Sequence, residues 1–143
     1  MHTIAVATQA REELVDVTAR LSDIALGSGV TDGVVVVTCP HTTAAVTVNE
    51  NADPDVARDI LDGLARLVPR DGWRHAEGNA DAHLKAALVG SSVTVPLVHG
   101  ALGLGTWQAV YLCEFDGPRR RGLSVSVLPG AAAERDAGVR QSR

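Results

Sequence analysis

Four consecutive valines, Val34 to Val37, stand between Asp32-Gly33 and Pro40. An unbroken apolar run of this length reads as a strand covered on both faces, so something must pack on each side of it. The core available for that packing is unusual. Hydrophobic residues make up 45% of the 143-residue chain, yet two Trp, one Tyr and one Phe are its only aromatic residues. The interior must therefore be Val, Leu, Ile and Ala, and Val-rich stretches favour strands. A chain of this size is one domain that can bury roughly two-thirds of its unfolded surface.

Other segments follow the same grammar. Thr3 to Ala7 and Glu13 to Val17 read as short strands. Thr18 is placed to cap a helix whose stripe is Leu21, Ile24, Ala25 and Leu26, ending at Gly27-Ser28-Gly29. After Pro40 the chain turns through His41-Thr42-Thr43 into a strand from Ala44 to Asn49. Asp53-Pro54 is a helix start, and Val56, Ile60, Leu64 and Leu67 follow at helical spacing. A third helix is expected from about Asn79 to Val89, with the stripe Ala80, Leu84, Ala87 and Leu88. Ser92 to Val98, Thr106 to Phe115 and Leu123 to Leu128 read as strands, the last with one wet face.

Seven or eight strands with three segregated helices argue for an α+β fold on a mixed or antiparallel β-sandwich. The domain is expected to span residues 1–129, with a disordered tail at 130–143 where Ala, Gly and charge show no periodicity. The net charge of -4 argues against a nucleic-acid partner. No apolar run approaches the roughly 20 residues of a membrane span, and the N-terminus has no signal-peptide pattern, so a cytoplasmic protein is expected. Cys39 and Cys113 lie in apolar runs without metal-finger spacing and read as buried free thiols.

Polar residues interrupt this apolar chain in three places. In His41-Thr42-Thr43 the hydroxyls can orient the imidazole or bind a phosphate oxygen. Asn49-Glu50-Asn51-Ala52-Asp53 places amides and carboxylates at a helix start, where an anion can be held and where Glu50 can ligate a metal or move a proton. Asp53 alone reads equally as an N-cap. The third cluster runs from His75 to His83 and includes Glu77, Asn79 and Asp81. Its spacing fits no zinc-finger or metalloprotease pattern, so it reads as half of a site. Gly103-x-Gly105-Thr106-Trp107-Gln108 is not a phosphate-binding glycine loop. Asp116-Gly117-Pro118-Arg119 reads as a turn that offers Arg119 as a phosphate fork.

Taken in order, five blocks closely resemble the YjbQ-like family. They are His41-Thr42-Thr43-Ala44-Ala45, Asn49 to Asp55, His75 to Lys85, Leu104 to Gln108 and Glu114 to Arg119. His99-Gly100-Ala101 and Gly103 depart from the expected pattern, and His99 reads as a surface residue. The resemblance implies a jelly-roll-like core, a homotrimer, and a site near a subunit boundary for metal and phosphate. It implies His41, His75 and His83 as metal ligands and Glu50, Asp53 and Glu77 as acid, base or supporting groups. Thr42, Thr43, Asn49, Asn51, Asn79, Gln108 and Arg119 would then bind substrate or phosphate. The ion would be divalent, with Zn or Mg as candidates. The implied reaction is of the thiamine-phosphate synthase type, joining a pyrimidine diphosphate to a thiazole phosphate with release of pyrophosphate. The residues leave two other classes open: a metal-dependent phosphoester hydrolase, and a non-catalytic trimeric metal- or metabolite-binding protein.

Overall fold

The structure is a computed structural model that describes residues 1–131. Along the chain run β1 (His2–Ala7), β2 (Glu13–Asp16), α1 (Thr18–Ser28), β3 (Gly33–Thr38), β4 (Ala44–Glu50), α2 (Pro54–Leu67) and α3 (Ala80–Val89). They are followed by β5 (Ser92–Val98), β6 (Ala101–Leu102), β7 (Gln108–Glu114) and β8 (Arg120–Pro129). Five strands form one sheet in the order β1-β8-β3-β5-β6, and three form a second in the order β2-β7-β4. Every strand pairing is antiparallel. The fold is thus α+β, with antiparallel curled sheets and three helices. The expected tail from residue 132 onward lies outside the described residues.

The main core lies between the sheets. Ile4, Val35, Val37, Val95, Leu97, Leu123 and Val125 from the larger sheet meet Val46, Val110 and Leu112 from the smaller. Leu21 and Ala25 of α1 close it. The valine run is fully covered on one face only, since Val35 and Val37 are buried while Val34 and Val36 are half-exposed. Their shielding comes sideways, from strands β5 and β8 that flank β3. The caps also differ from expectation. Val17 holds the cap position of α1, and Asp16 Oδ1 accepts the Thr18 amide at 2.9 Å. Thr18 Oγ1 instead accepts from the Val110 amide at 2.9 Å, tying the helix to β7. Leu26, placed in the apolar stripe by periodicity, is 74% exposed.

A second apolar cluster covers the outer face of the smaller sheet. Ala82 and Ala86 of α3 pack on Ala45, Cys113 and Phe115, with Leu61 and Leu64 of α2 alongside. Alanine at these positions lets the helix approach the sheet closely. The expected stripe of α3 is therefore rotated: Ala80, Asp81, Ala82, Lys85 and Ala86 are buried, while Leu88 is 65% exposed. Charge on the buried face is paired, Lys85 with Glu12 at 2.6 Å and Asp81 with Arg11 at 3.2 Å. α2 starts as expected, with Asp53 accepting the Asp55 amide at 2.9 Å, yet none of its residues is fully buried. Cys39 and Cys113 are free and buried, and burial pushes the Cys113 thiol up to about 12. No described helix is long and apolar enough to cross a membrane.

The two leucine environments separate burial from periodicity. Leu21→Ala should cost about 2–5 kcal/mol. Leu88→Ala should stay within about 0.5 kcal/mol. Urea midpoints at constant slope check both.

Candidate functional site

Two charged residues interrupt the β7 and β8 apolar pattern and end up under the site. Glu114, the last residue of β7, is fully buried, and Arg121, at the start of β8, is 7% exposed. Arg121 Nε donates to Glu114 Oε2 at 2.8 Å, and Nη2 donates to Oε1 at 2.5 Å. The Thr8 hydroxyl adds a bond to Oε2 at 2.9 Å, and the Asp116 amide adds one to Oε1 at 2.9 Å. Burial alone would raise the Glu114 carboxyl, but Arg121, the Asp116 amide and Thr8 outweigh it and hold the group below the ordinary glutamate range. The bonds from Glu114, opposed by burial, raise the Arg121 guanidinium in turn. Arg121 Nη2 also donates to Thr43 Oγ1 at 2.9 Å. Since that oxygen accepts, the hydroxyl hydrogen of Thr43 is left to donate elsewhere.

Pro40 stops β3 just before the site, and His41 takes over its ladder. β8 pairs with β3 only as far as Ser124 opposite Thr38. Beyond that point the Gly122 amide donates to His41 Nε2 at 2.9 Å. The Gly122 carbonyl lies 3.2 Å from the same nitrogen. With Nε2 accepting from the Gly122 amide, the shorter contact, the neutral ring carries its proton on Nδ1; in the other tautomer Nε2–H donates to the Gly122 carbonyl. The first form offers a ligand a donor at Nδ1, and the second offers a lone pair there.

The third wall comes from the start of α3 and the turn after β7. Asn79 Nδ2 donates to Asp116 Oδ2 at 2.9 Å, and Arg119 Nη2 donates to the same oxygen at 2.9 Å. Arg119 Nε donates to the Asp116 carbonyl at 2.8 Å. Asp116 therefore orients both side chains and leaves Arg119, about half exposed, with donors to spare. Asn79 Oδ1 is the one buried side-chain polar atom without a partner among the described residues. The resulting cavity, of about 360 Å3, is lined by His41, Thr42, Thr43, Glu77, Asn79, His83, Asp116, Arg119 and Arg121.

Seven residues expected in the site therefore share one cavity: His41, Thr42, Thr43, Glu77, Asn79, His83 and Arg119. His75 stands next to it, its ring edge-to-face with His83 at 5.4 Å between centroids. Glu77 is 3.6 Å from His75 Nε2, and both side chains are substantially exposed. The structure does not bring five other residues here. Glu50 pairs with Gln108 at the far end of β4. The six-residue step from Ala44 to Glu50 spans roughly 20 Å of extended strand. Asn49 and Asn51 sit at the same far end, where Asn51 donates to Asp16 at 3.3 Å. Gln108 Oε1 accepts the Gly105 amide at 2.8 Å, and the Asp53 carboxylate is engaged in capping α2. Within one chain, then, the Asn49–Asp53 segment is not the other half of the His75–His83 site.

Among the described residues of one chain, no three His, Cys, Asp or Glu side chains are grouped to share an ion, so His41 does not join His75 and His83 as a ligand set within the chain. His99 is exposed in the β5–β6 turn. The residues missed from sequence are Glu114, Asp116 and Arg121. Their signal was present: a carboxylate and a guanidinium flanking two apolar strand runs must either pair or stay out of the core.

Comparison with known proteins follows this geometry. A family model described as UPF0047 protein YjbQ-like matches residues 2–130. The UPF0047 protein MJ1081 of Methanocaldococcus jannaschii is 48% identical over 122 residues, covering 85% of this chain and 88% of that protein. UPF0047 protein YugU of Bacillus subtilis is 42% identical over 130 residues, covering 90% and 98%. The crystal structure of a YjbQ/UPF0047 family protein from Clostridium acetobutylicum superposes with a TM-score of 0.88 at 46% identity, covering 90% of this chain and all of that one. A YbjQ-like protein from Sulfolobus solfataricus gives 0.87 at 34% identity, covering 90% and 96%.

The buried pair makes a stability prediction with a defined sign. Arg121→Met leaves Glu114 buried and uncompensated and should cost about 3–5 kcal/mol, while Glu114→Gln with Arg121→Met should recover much of it. Because the folded carboxyl is held below its ordinary value, its contribution is present at neutral pH. It should fade as pH falls below about 4.3, the unfolded glutamate value. Urea melts from pH 7 to pH 3 should therefore fall more steeply for the wild type than for the double variant.

Proposed function

This chain belongs to the YjbQ-like UPF0047 family, and we propose that it is a transferase of the thiamine-phosphate synthase type. In this reading it joins a pyrimidine diphosphate to a thiazole phosphate. The carbon–oxygen bond to the diphosphate breaks, its electron pair leaves on pyrophosphate, and the thiazole nitrogen takes the carbon. The observation that supports it is a donor-rich cavity held in place by Asp116 and the Glu114–Arg121 pair. His41, Thr43 and Arg119 border it together. Such chemistry needs fixed donors where negative charge develops on the leaving oxygen. It needs no side-chain nucleophile.

The same reading includes a homotrimer whose neighbouring copy brings Glu50 and Asp53 to the pocket. Two observations support it. α2 is strongly amphipathic but has no fully buried residue. The end of β4 near Asp16, Glu50 and Asp53 is acidic, while the opposite end holds Arg119 and Arg121 together with Glu77 and Asp116. Head-to-tail contacts of this kind close into rings.

Purified protein given both substrates should form thiamine phosphate. Arg119→Gln should lower the rate about 10²–10³-fold. If neighbouring copies share the site, an equal mixture of Arg119→Gln and Glu50→Gln proteins, refolded together, should recover about a quarter of the wild-type sites. Absence of product from the wild type would remove the synthase reading. Absence of recovery in the mixture would remove the shared site.

A further inference from the structure

We propose that the cavity beside the anion pocket is a second subsite, built for the nitrogen-containing aromatic ring of the same phosphorylated ligand. The inference rests on the reading that the His41–Arg119 pocket holds a phosphoryl group, and it adds where the rest of that ligand lies.

This neighbouring cavity, of about 610 Å3, is walled by Trp73, His75, Ala80, His83 and Leu84. It adjoins the anion pocket, since His83 borders both. In the proposal, a ligand seated on Arg119 and His41 extends past His83 into this space.

The chemistry of the walls selects the occupant. Trp73 is 41% exposed, an expensive place for an indole to remain without use. Its ring is nonetheless held, because Nε1 donates to the Pro69 carbonyl at 2.7 Å. His75 and His83 both line the cavity and pack edge-to-face with each other. Leu84 lines the apolar side. An indole and two imidazoles stack with a flat π system, and imidazole nitrogens add hydrogen bonds to ring nitrogens. An aliphatic chain would gain the apolar contact alone.

Calorimetry on the full chain with three probes tests this: inorganic phosphate, pyridylmethyl phosphate and cyclohexylmethyl phosphate. The two organic probes match in phosphate charge and ring size and differ in π character and in the ring nitrogen, the two features the subsite is proposed to read. The aromatic probe should bind roughly three- to tenfold more tightly than the cyclohexyl one. Trp73→Leu should abolish that preference while leaving inorganic phosphate affinity unchanged, and Trp107→Leu should leave all three affinities as they are. Equal binding of the two organic probes by the wild type would overturn the subsite alone. So would a Trp73→Leu protein that keeps the preference, or one that changes oligomeric size with its affinities intact. If none of the three probes binds, the anion-pocket reading fails and the subsite falls with it.

Discussion

The pair of Glu114 and Arg121 is the interaction on which the rest of the site depends. Glu114 ends β7 in the smaller sheet, and Arg121 begins β8 in the larger. Their two hydrogen bonds therefore join the sheets at the mouth of the sandwich, where the apolar core gives out. Desolvating two charges offsets much of what their attraction contributes, so the pair is a weak source of stability. What it supplies is position. It fixes Thr43 through Arg121, the Asp116 amide through Glu114, and Thr8 below both. Each of these anchors a wall of the cavity.

The walls then have different origins. His41 is set by a strand that ends early, leaving a backbone amide of β8 for its ring to accept. Arg119 is set by the turn after β7, whose Asp116 binds it twice. Asn79 and His83 are set by α3, whose alanine face lets it lie close on the smaller sheet. Buried Asp81 and Lys85, paired with the partly exposed Arg11 and Glu12, hold the same helix from behind. The catalytic reading asks these groups to present donors to a departing diphosphate. Their fixed partners mean that little reorganisation is needed when charge appears.

Much of the fold was legible from residues alone. Asp53-Pro54 marked a helix start correctly, and the alternation of Leu123 to Leu128 marked a strand with one wet face. The misplacements have a common cause. Leu26, Leu84 and Leu88 fit helical stripes, but periodicity records only which residues share a face. Which face is buried depends on the partner surface, and on α3 that surface selected Ala82 and Ala86. The site was half legible for a similar reason. Sequence clusters show where polar residues concentrate, but a strand separates its two ends by its whole length. His41 and Glu50 flank the same strand β4 and so lie at opposite ends of it. Glu114 and Arg121 are seven positions apart across a turn; their place beside apolar runs signals a pair, but not that Arg121 also reaches Thr43.

In the proposed function His41 presents a proton donor to the anion and is oriented by Gly122. Long-range proton–nitrogen NMR of the histidine rings reads this directly. His41 should be the Nδ1–H tautomer at neutral pH, with Nε2 unprotonated, and inorganic phosphate should shift its Nδ1 resonance. A proton on Nε2, or a His41 spectrum unmoved by saturating phosphate, would contradict it.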